Sequence, residues 1–192
     1  MSNNIREKFF IALKFHQKGN FKKAELLYNN ILAKNPNEVN TLHHLAILAI
    51  QNQKSQIAIK LLNKVVNIEP KLHLAYNNRG IAHRNINNND FAIRDFKKVI
   101  SINPNYKEAF FNLAITYTSL EKMEKALFYC KKAIQLDTNY AAAYNTQGII
   151  YSKLGKFENS ISSFDNAIKF KKNYFEAYNN KGNSLFKINN LE

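Results

Sequence analysis

Large apolar side chains stand at Leu42, Tyr76, Phe110, Tyr144 and Tyr178, and small ones at Ala12, Ala46, Gly80, Ala114, Gly148 and Gly182. Both series advance in steps of 34 residues. A second small series, Ala24, Ala58, Ala92 and Ala126, runs on to Ser160, attended by Tyr28, Leu62, Phe96 and Phe164. Counted within each repeat, the small residues hold the eighth and twentieth places and the large ones the fourth and twenty-fourth. A tiny side chain on each of two antiparallel helices lets their axes approach, and the larger groups fill the space around them. Each repeat is therefore predicted to be a helical hairpin, with the fourth, seventh, eighth and eleventh places of its first helix as the packed stripe.

The punctuation agrees with that reading. Gly19, Asn87 and Gly155 fall at the turn between the two helices, where a left-handed residue is needed, and Gln53 and Glu121 occupy the same place with less ease. Pro36, Pro70 and Pro104 stop the second helix before the next repeat begins, while Thr138 and Lys172 stand where the later prolines would be. The boundaries predicted are 5–38, 39–72, 73–106, 107–140 and 141–174, with a terminal helix at 175–188. This is one all-α domain, a right-handed α-solenoid of stacked antiparallel helix pairs over residues 1–192. The chain halts at Leu191 and Glu192, where a sixth second helix is expected to start, so a fragment of a longer protein is expected. The outward side of the terminal helix is expected to carry Lys181 and Ser184.

The second, sixth, ninth and thirteenth places lie opposite the packed stripe and are expected to line a groove. The sixth place reads Phe10, His44, Asn78, Asn112, Thr146 and Asn180, and the ninth includes Ile81, Ile115 and Ile149. An asparagine amide offers a donor and an acceptor, so one side chain pairs with the N–H and C=O of one peptide unit. His44, Asn78, Asn112, Thr146 and Asn180 beside Ile81, Ile115 and Ile149 are thus the candidate peptide-binding residues. Asparagine supplies thirty of the 192 residues, so compositional bias is the competing explanation for part of the row. Asn77, Asn145 and Asn179 are expected on the groove's flank.

With its 34-residue period and its small and aromatic places, the chain resembles the tetratricopeptide repeat family. That resemblance implies a protein or extended-peptide partner. The amide row at Asn78, Asn112 and Asn180 is similar to the repeat region of O-linked N-acetylglucosamine transferases and their bacterial relatives, from which His44, Thr146 and Phe10 depart. It implies, as an alternative, a substrate-recruiting segment of a larger glycosyltransferase-like enzyme; a structural scaffold is the other alternative. The chaperone-tail clamp of other family members needs groove lysines, and the second places, Arg6, Asn40, Leu74, Glu108, Ala142 and Glu176, do not supply them.

Composition adds limits. Five glycines and three prolines in 192 residues leave little for the turns of an all-β protein. The single Cys130 excludes an intrachain disulfide and sits at an aromatic packing place, so it reads as core and not as a nucleophile. His43 and His44 point about 100° apart on a helix, which does not suit one metal ion. His16 and His44 approach the groove without a third ligand, and His83 takes an aromatic packing place. No catalytic motif, metal or cofactor is expected, and the protein is read as a non-enzyme. Neither a signal peptide nor a membrane span is legible, giving a cytoplasmic expectation. The net charge of +14 falls mainly on second helices and turns, as at Lys97, Lys98, Lys131 and Lys132, so nucleic acid is disfavoured for want of a basic track with exposed aromatics.

Overall fold

The computed structural model describes residues 3–189. Among them, eleven α-helices and no strand occur. The first helices are α1 (Asn3–Gln17), α3 (Val39–Gln51), α5 (His73–Asn85), α7 (Lys107–Ser119), α9 (Ala141–Lys153) and α11 (Phe175–Asn189). Their partners are α2 (Phe21–Lys34), α4 (Ser55–Ile68), α6 (Asn89–Ile102), α8 (Met123–Leu136) and α10 (Phe157–Phe170). The architecture is an α-solenoid of helix pairs. The helices fall into two compact units, residues 1–102 and 103–192. Leu191 and Glu192, where a further helix was expected to start, lie outside the described residues.

Each hairpin turns through one residue in the left-handed region. Gly19 (φ +76°) and Gly155 (φ +71°) do so without a Cβ penalty, whereas Gln53 (φ 60°), Asn87 (φ 60°) and Glu121 (φ 56°) carry side chains there. The residue after each donates its N–H five residues back, as in Asn20 to Phe15 (2.9 Å), Lys54 to Ala49 (2.8 Å) and Lys156 to Tyr151 (2.9 Å). These bonds satisfy carbonyls that the helix end leaves open. The second helices end at the same place with or without proline. α8 stops at Leu136, and the Asp137 carboxylate then accepts the Asn139 N–H at 2.9 Å, a local turn that needs no proline.

In the first unit the core joins Ala12, Ala24 and Tyr28 to Leu45 and Leu48, then Leu42, Ala46 and Ala58 to Leu62 and Val65. The second unit buries Leu113, Ala126, Cys130, Ile150 and Phe164. Where the eighth place is glycine, an aromatic ring fills the space. A Cβ on Gly80 would stand 2.6 Å from Phe96 Cε1, and one on Gly148 would stand 2.4 Å from Phe164 Cε1.

The packed surface is wider than the stripe expected. The eighth place is enclosed, as at Ala12, Ala46 and Ala114, and the third and tenth places are equally so: Ala75, Ala82, Ala109, Thr116, Ala143, Ile150 and Ala177 are all fully buried. Seven residues on a helix advance 700°, so these places form one stripe. On α9 it packs on the second helix of the preceding repeat, as Cys130 Sγ, donating to the Ala143 carbonyl at 3.0 Å, illustrates. Small residues there do not announce a core, although they set how closely helices stack. The seventh place, by contrast, holds Arg79, Gln147 and Lys181, each bonded to a second helix. Arg79 donates to both oxygens of Asp95 (2.8 and 2.6 Å), Ser163 bonds Gln147 (3.2 Å) and Lys181 reaches Asp165 (2.6 Å). Ser184 is buried and hydrogen-bonded to Ser160 at 2.9 Å. The expectation that Lys181 and Ser184 face outward is therefore corrected: both turn back onto α10.

Candidate functional site

The candidate residues stand on the first helices, three in the first unit and five in the second. In the first unit, His44 is half-buried and its Nδ1 bonds the Asn40 carbonyl at 2.9 Å. Its ring lies 5.1 Å from Phe9 and 6.5 Å from Tyr28, and burial lowers its pKa. Packing against the α1–α2 hairpin thus disfavours the charged form of His44. His16, the other histidine of this region, is bonded to the Tyr28 hydroxyl (3.3 Å) and to Gln51 Oε1 (2.7 Å).

Asn78 is half-buried and its Nδ2 donates to His43 Nε2 at 2.9 Å. Acceptance requires an unprotonated Nε2. Burial supplies that condition by pushing the His43 pKa down to about 4, with the neighbouring His44 adding to the effect and a hydrogen bond to the Leu74 backbone opposing it. One imidazole therefore ties α3 to α5 at two points. Ile81 is half-buried one turn beyond Asn78.

The second unit repeats the arrangement in different atoms. Asn180 Nδ2 donates to Asn145 Oδ1 at 3.2 Å, and Asn145 in turn hydrogen-bonds Tyr174. Asn112 is the most enclosed of the row, 7% exposed, and its backbone carbonyl accepts from the Thr116 hydroxyl at 2.7 Å. Thr146, Ile115 and Ile149 are half-buried, and Ile149 packs against the cluster of Phe164, Ala167 and Tyr174. In both units a sixth-place amide bonds back, 35 residues, to the fifth place of the preceding repeat. An offset of one period plus one residue is invisible in the 34-residue register.

Two sets of residues on this face depart from the reading of the sequence, the first by its position and the second because it was not singled out. The fifth-place Asn77 (6% exposed) and Asn145 (8%) are buried between first helices, not on a flank as expected, and His43 (8%) shares their position. Tyr106, Tyr140 and Tyr174 immediately precede or cap α7, α9 and α11, again at 34-residue intervals. Tyr140 packs 5.0 Å from the Phe111 ring, and the Lys107 ammonium sits 4.9 Å from the Tyr140 ring centroid. Burial, with Glu108 next, pushes the Tyr140 hydroxyl up to about 12, and burial with Glu176 raises Tyr174. Glu108 and Glu176 add to burial in disfavouring the phenolate form of these residues. Their spacing was the available signal.

Elsewhere, Cys130 is fully buried and its thiol is pushed up to about 12 by burial, which leaves no thiolate for chemistry near neutral pH. The His83 ring stacks on Phe91 at 5.1 Å, as a packing residue does. Among the described residues, no helix is long and apolar enough to cross a membrane.

Antiparallel hairpins with small residues at the crossing points, repeated along the chain, define a helical-repeat protein. Residues 73–106 and 108–140 match the tetratricopeptide repeat model, and residues 148–189 match a second tetratricopeptide model, together more than half of the chain. The chain belongs to the tetratricopeptide repeat family. No curated protein matches it in sequence. Among solved structures it is similar to the MamA protein, at 26% identity and a TM-score of 0.76, covering 90% of this chain and 94% of that one. It also shares its fold with a thermophilic repeat protein of Thermus thermophilus (16% identity, TM-score 0.77, 95% and 99% covered). The same holds for YrrB, described as having an unusual peptide-binding site (15% identity, TM-score 0.71, 91% and 90% covered).

Proposed function

We propose that this protein is a protein-interaction module that binds an extended peptide on its first helices, through the sixth-place polar row and the ninth-place isoleucines. The observation that carries this reading is the tethering of Asn78 and Asn180. Each gives one N–H to the preceding repeat, which fixes the amide plane. In this reading the second N–H and the carbonyl oxygen pair with one peptide unit of the ligand, and an amide already fixed in plane loses little side-chain entropy on binding. The peptide-binding description of YrrB supports the same use of the fold.

Each such hydrogen bond contributes roughly 1 kcal/mol net, whereas micromolar affinity corresponds to about 8 kcal/mol. The isoleucines must therefore supply much of the affinity, at roughly 1.5–3 kcal/mol for each fully buried aliphatic side chain. Selection from a displayed library of unstructured peptides tests this. Selected peptides are expected to bind the native chain near micromolar and to lose at least about tenfold with Ile115→Ser and Ile149→Ser combined. Undiminished binding to that variant contradicts the proposal. The amide tethers also favour a second reading, in which the row only braces the repeats. In that case Asn78→Ala and Asn180→Ala lower stability and leave peptide affinity unchanged.

A further inference from the structure

The charge is unevenly divided: the first unit, residues 1–102, holds sixteen Lys and Arg against six Asp and Glu, whereas the whole chain holds 28 against 14. Its second helices concentrate this charge on their outward stripes. On α2 the stripe carries Lys23 and then Leu26, both exposed, with Leu26 at 61%, followed by the exposed Asn30. The equivalent stripe of α4 carries Ile57, 49% exposed, then Lys60 and Lys64. That of α6 carries Phe91, 52% exposed, then Arg94 and Lys98. Steps of three and four residues keep each set on one helix face. One cavity of about 240 Å³ is walled by Ile59 and Asn63 of α4, Arg79 and His83 of α5, and Phe91, Arg94 and Asp95 of α6, which places the α6 stripe residues Phe91 and Arg94 next to α4.

No acid neutralises the stripes. Glu25 is paired with Lys54 (3.8 Å) and Asp95 with Arg79 (2.6 Å), and none of the stripe cations makes an ion pair among the described residues. In the second unit the matching places of α8 read Lys125, Phe128 and Lys132, while those of α10 read Asn159, Ser162 and Asn166. The pattern is thus a property of particular helices and not of the repeat.

We infer that the outer face of the first unit, formed by α2, α4 and α6, docks on an anionic phospholipid surface. Solvation alone explains exposed lysines but not an exposed leucine, isoleucine and phenylalanine interleaved with them on the same stripes, Ile57 and Phe91 one period apart and Leu26 one turn further along α2. Cations flanking apolar side chains suit the headgroup boundary, where lysine and arginine meet phosphates and the apolar groups enter the acyl region. Single-stranded nucleic acid would instead call for stacking rings, and two of these three apolar residues are aliphatic.

The chain contains no tryptophan, so Leu26→Trp provides a single fluorescent reporter. Vesicles of equal parts phosphatidylglycerol and phosphatidylcholine are expected to sediment the protein, pure phosphatidylcholine vesicles are not, and the reporter's emission is expected to shift to the blue. Lys60→Glu with Arg94→Glu is expected to weaken binding at least about tenfold. Leu26→Ser with Ile57→Ser is expected to weaken it severalfold at unchanged charge, with thermal melts of both variants matching the native protein. The inference is overturned by failure to bind the anionic vesicles, by an unshifted reporter, by full binding in the serine variant, or by tighter binding to a single-stranded RNA oligonucleotide than to the vesicles.

Discussion

Adding one methyl group at Gly80 sets two known effects against each other. Alanine is better than glycine inside a helix by about 1 kcal/mol. The new Cβ, however, would lie 2.6 Å from Cε1, 2.9 Å from Cδ1 and 3.0 Å from Cζ of Phe96. Carbon atoms in contact prefer about 3.5–4.0 Å, so the ring must retreat by about 1 Å. Phe96 is 0% exposed, so the ring can retreat only by displacing the core around it. Overpacking of this kind costs about 1–3 kcal/mol, so Gly80→Ala is expected to be net destabilising by about 1 kcal/mol. Two comparisons isolate the cause. At Gly182 the same Cβ meets nothing within 4 Å, so Gly182→Ala shows only the propensity gain, read locally as slower amide exchange in α11. Combining Gly80→Ala with Phe96→Leu reproduces the Ala46 and Leu62 pair of the preceding repeat and is expected to recover most of the loss. Urea unfolding followed by far-ultraviolet circular dichroism measures each variant. If Gly80→Ala alone equals or exceeds the native stability, the close-approach argument fails.

Three further outcomes are expected. His43, with its pKa down from 6.5 to about 4, binds protons less readily folded than unfolded. Its stabilising contribution is therefore complete above about pH 6.5, declines as the pH falls toward 4 and is absent below, on the order of 3 kcal/mol at most; denaturant melts across this window are expected to show a smaller decline in His43→Gln. Gln53→Gly and Glu121→Gly, which relieve side chains at positive φ, are each expected to raise stability by about 1 kcal/mol in the same melts. Asp95→Ala strands the Arg79 guanidinium, whose side chain is only 18% exposed, and is expected to cost about 3–5 kcal/mol; Arg79→Met made together with Asp95→Leu is expected to cost much less.

The helical hairpins and their turns were legible because they depend on residues with one strong physical reason to be where they are. Gly19 and Gly155 at the turns, and Gly80 and Gly148 under aromatic rings, are of this kind. The closest packing between repeats was harder to see. It rests on Ala75 and Ala143, which are small enough to suit surface or core, and their role emerges only when a neighbouring helix is in place. The candidate row was legible as a list, from His44 and Asn78 to Asn180. Its connections were not. Asn78 bonds His43, and Asn180 bonds Asn145, through an offset of 35 residues that arises from helix stacking. His43 also shows how burial can turn an ionisable ring into a structural acceptor, an effect that spacing along the chain does not encode. Tyr106, Tyr140 and Tyr174 carry a periodic signal, but they stand just before each first helix, outside the helical register that defines its faces.

The most direct test of peptide binding on the first helices follows the isoleucine methyl resonances while a selected peptide is titrated into the isotopically labelled protein. The account predicts that Ile81, Ile115 and Ile149 shift with the binding isotherm while Ile57 and Ile68 of α4 hold their positions. Shifts confined to Ile57 and Ile68, with Ile81, Ile115 and Ile149 unmoved at saturation, would contradict it.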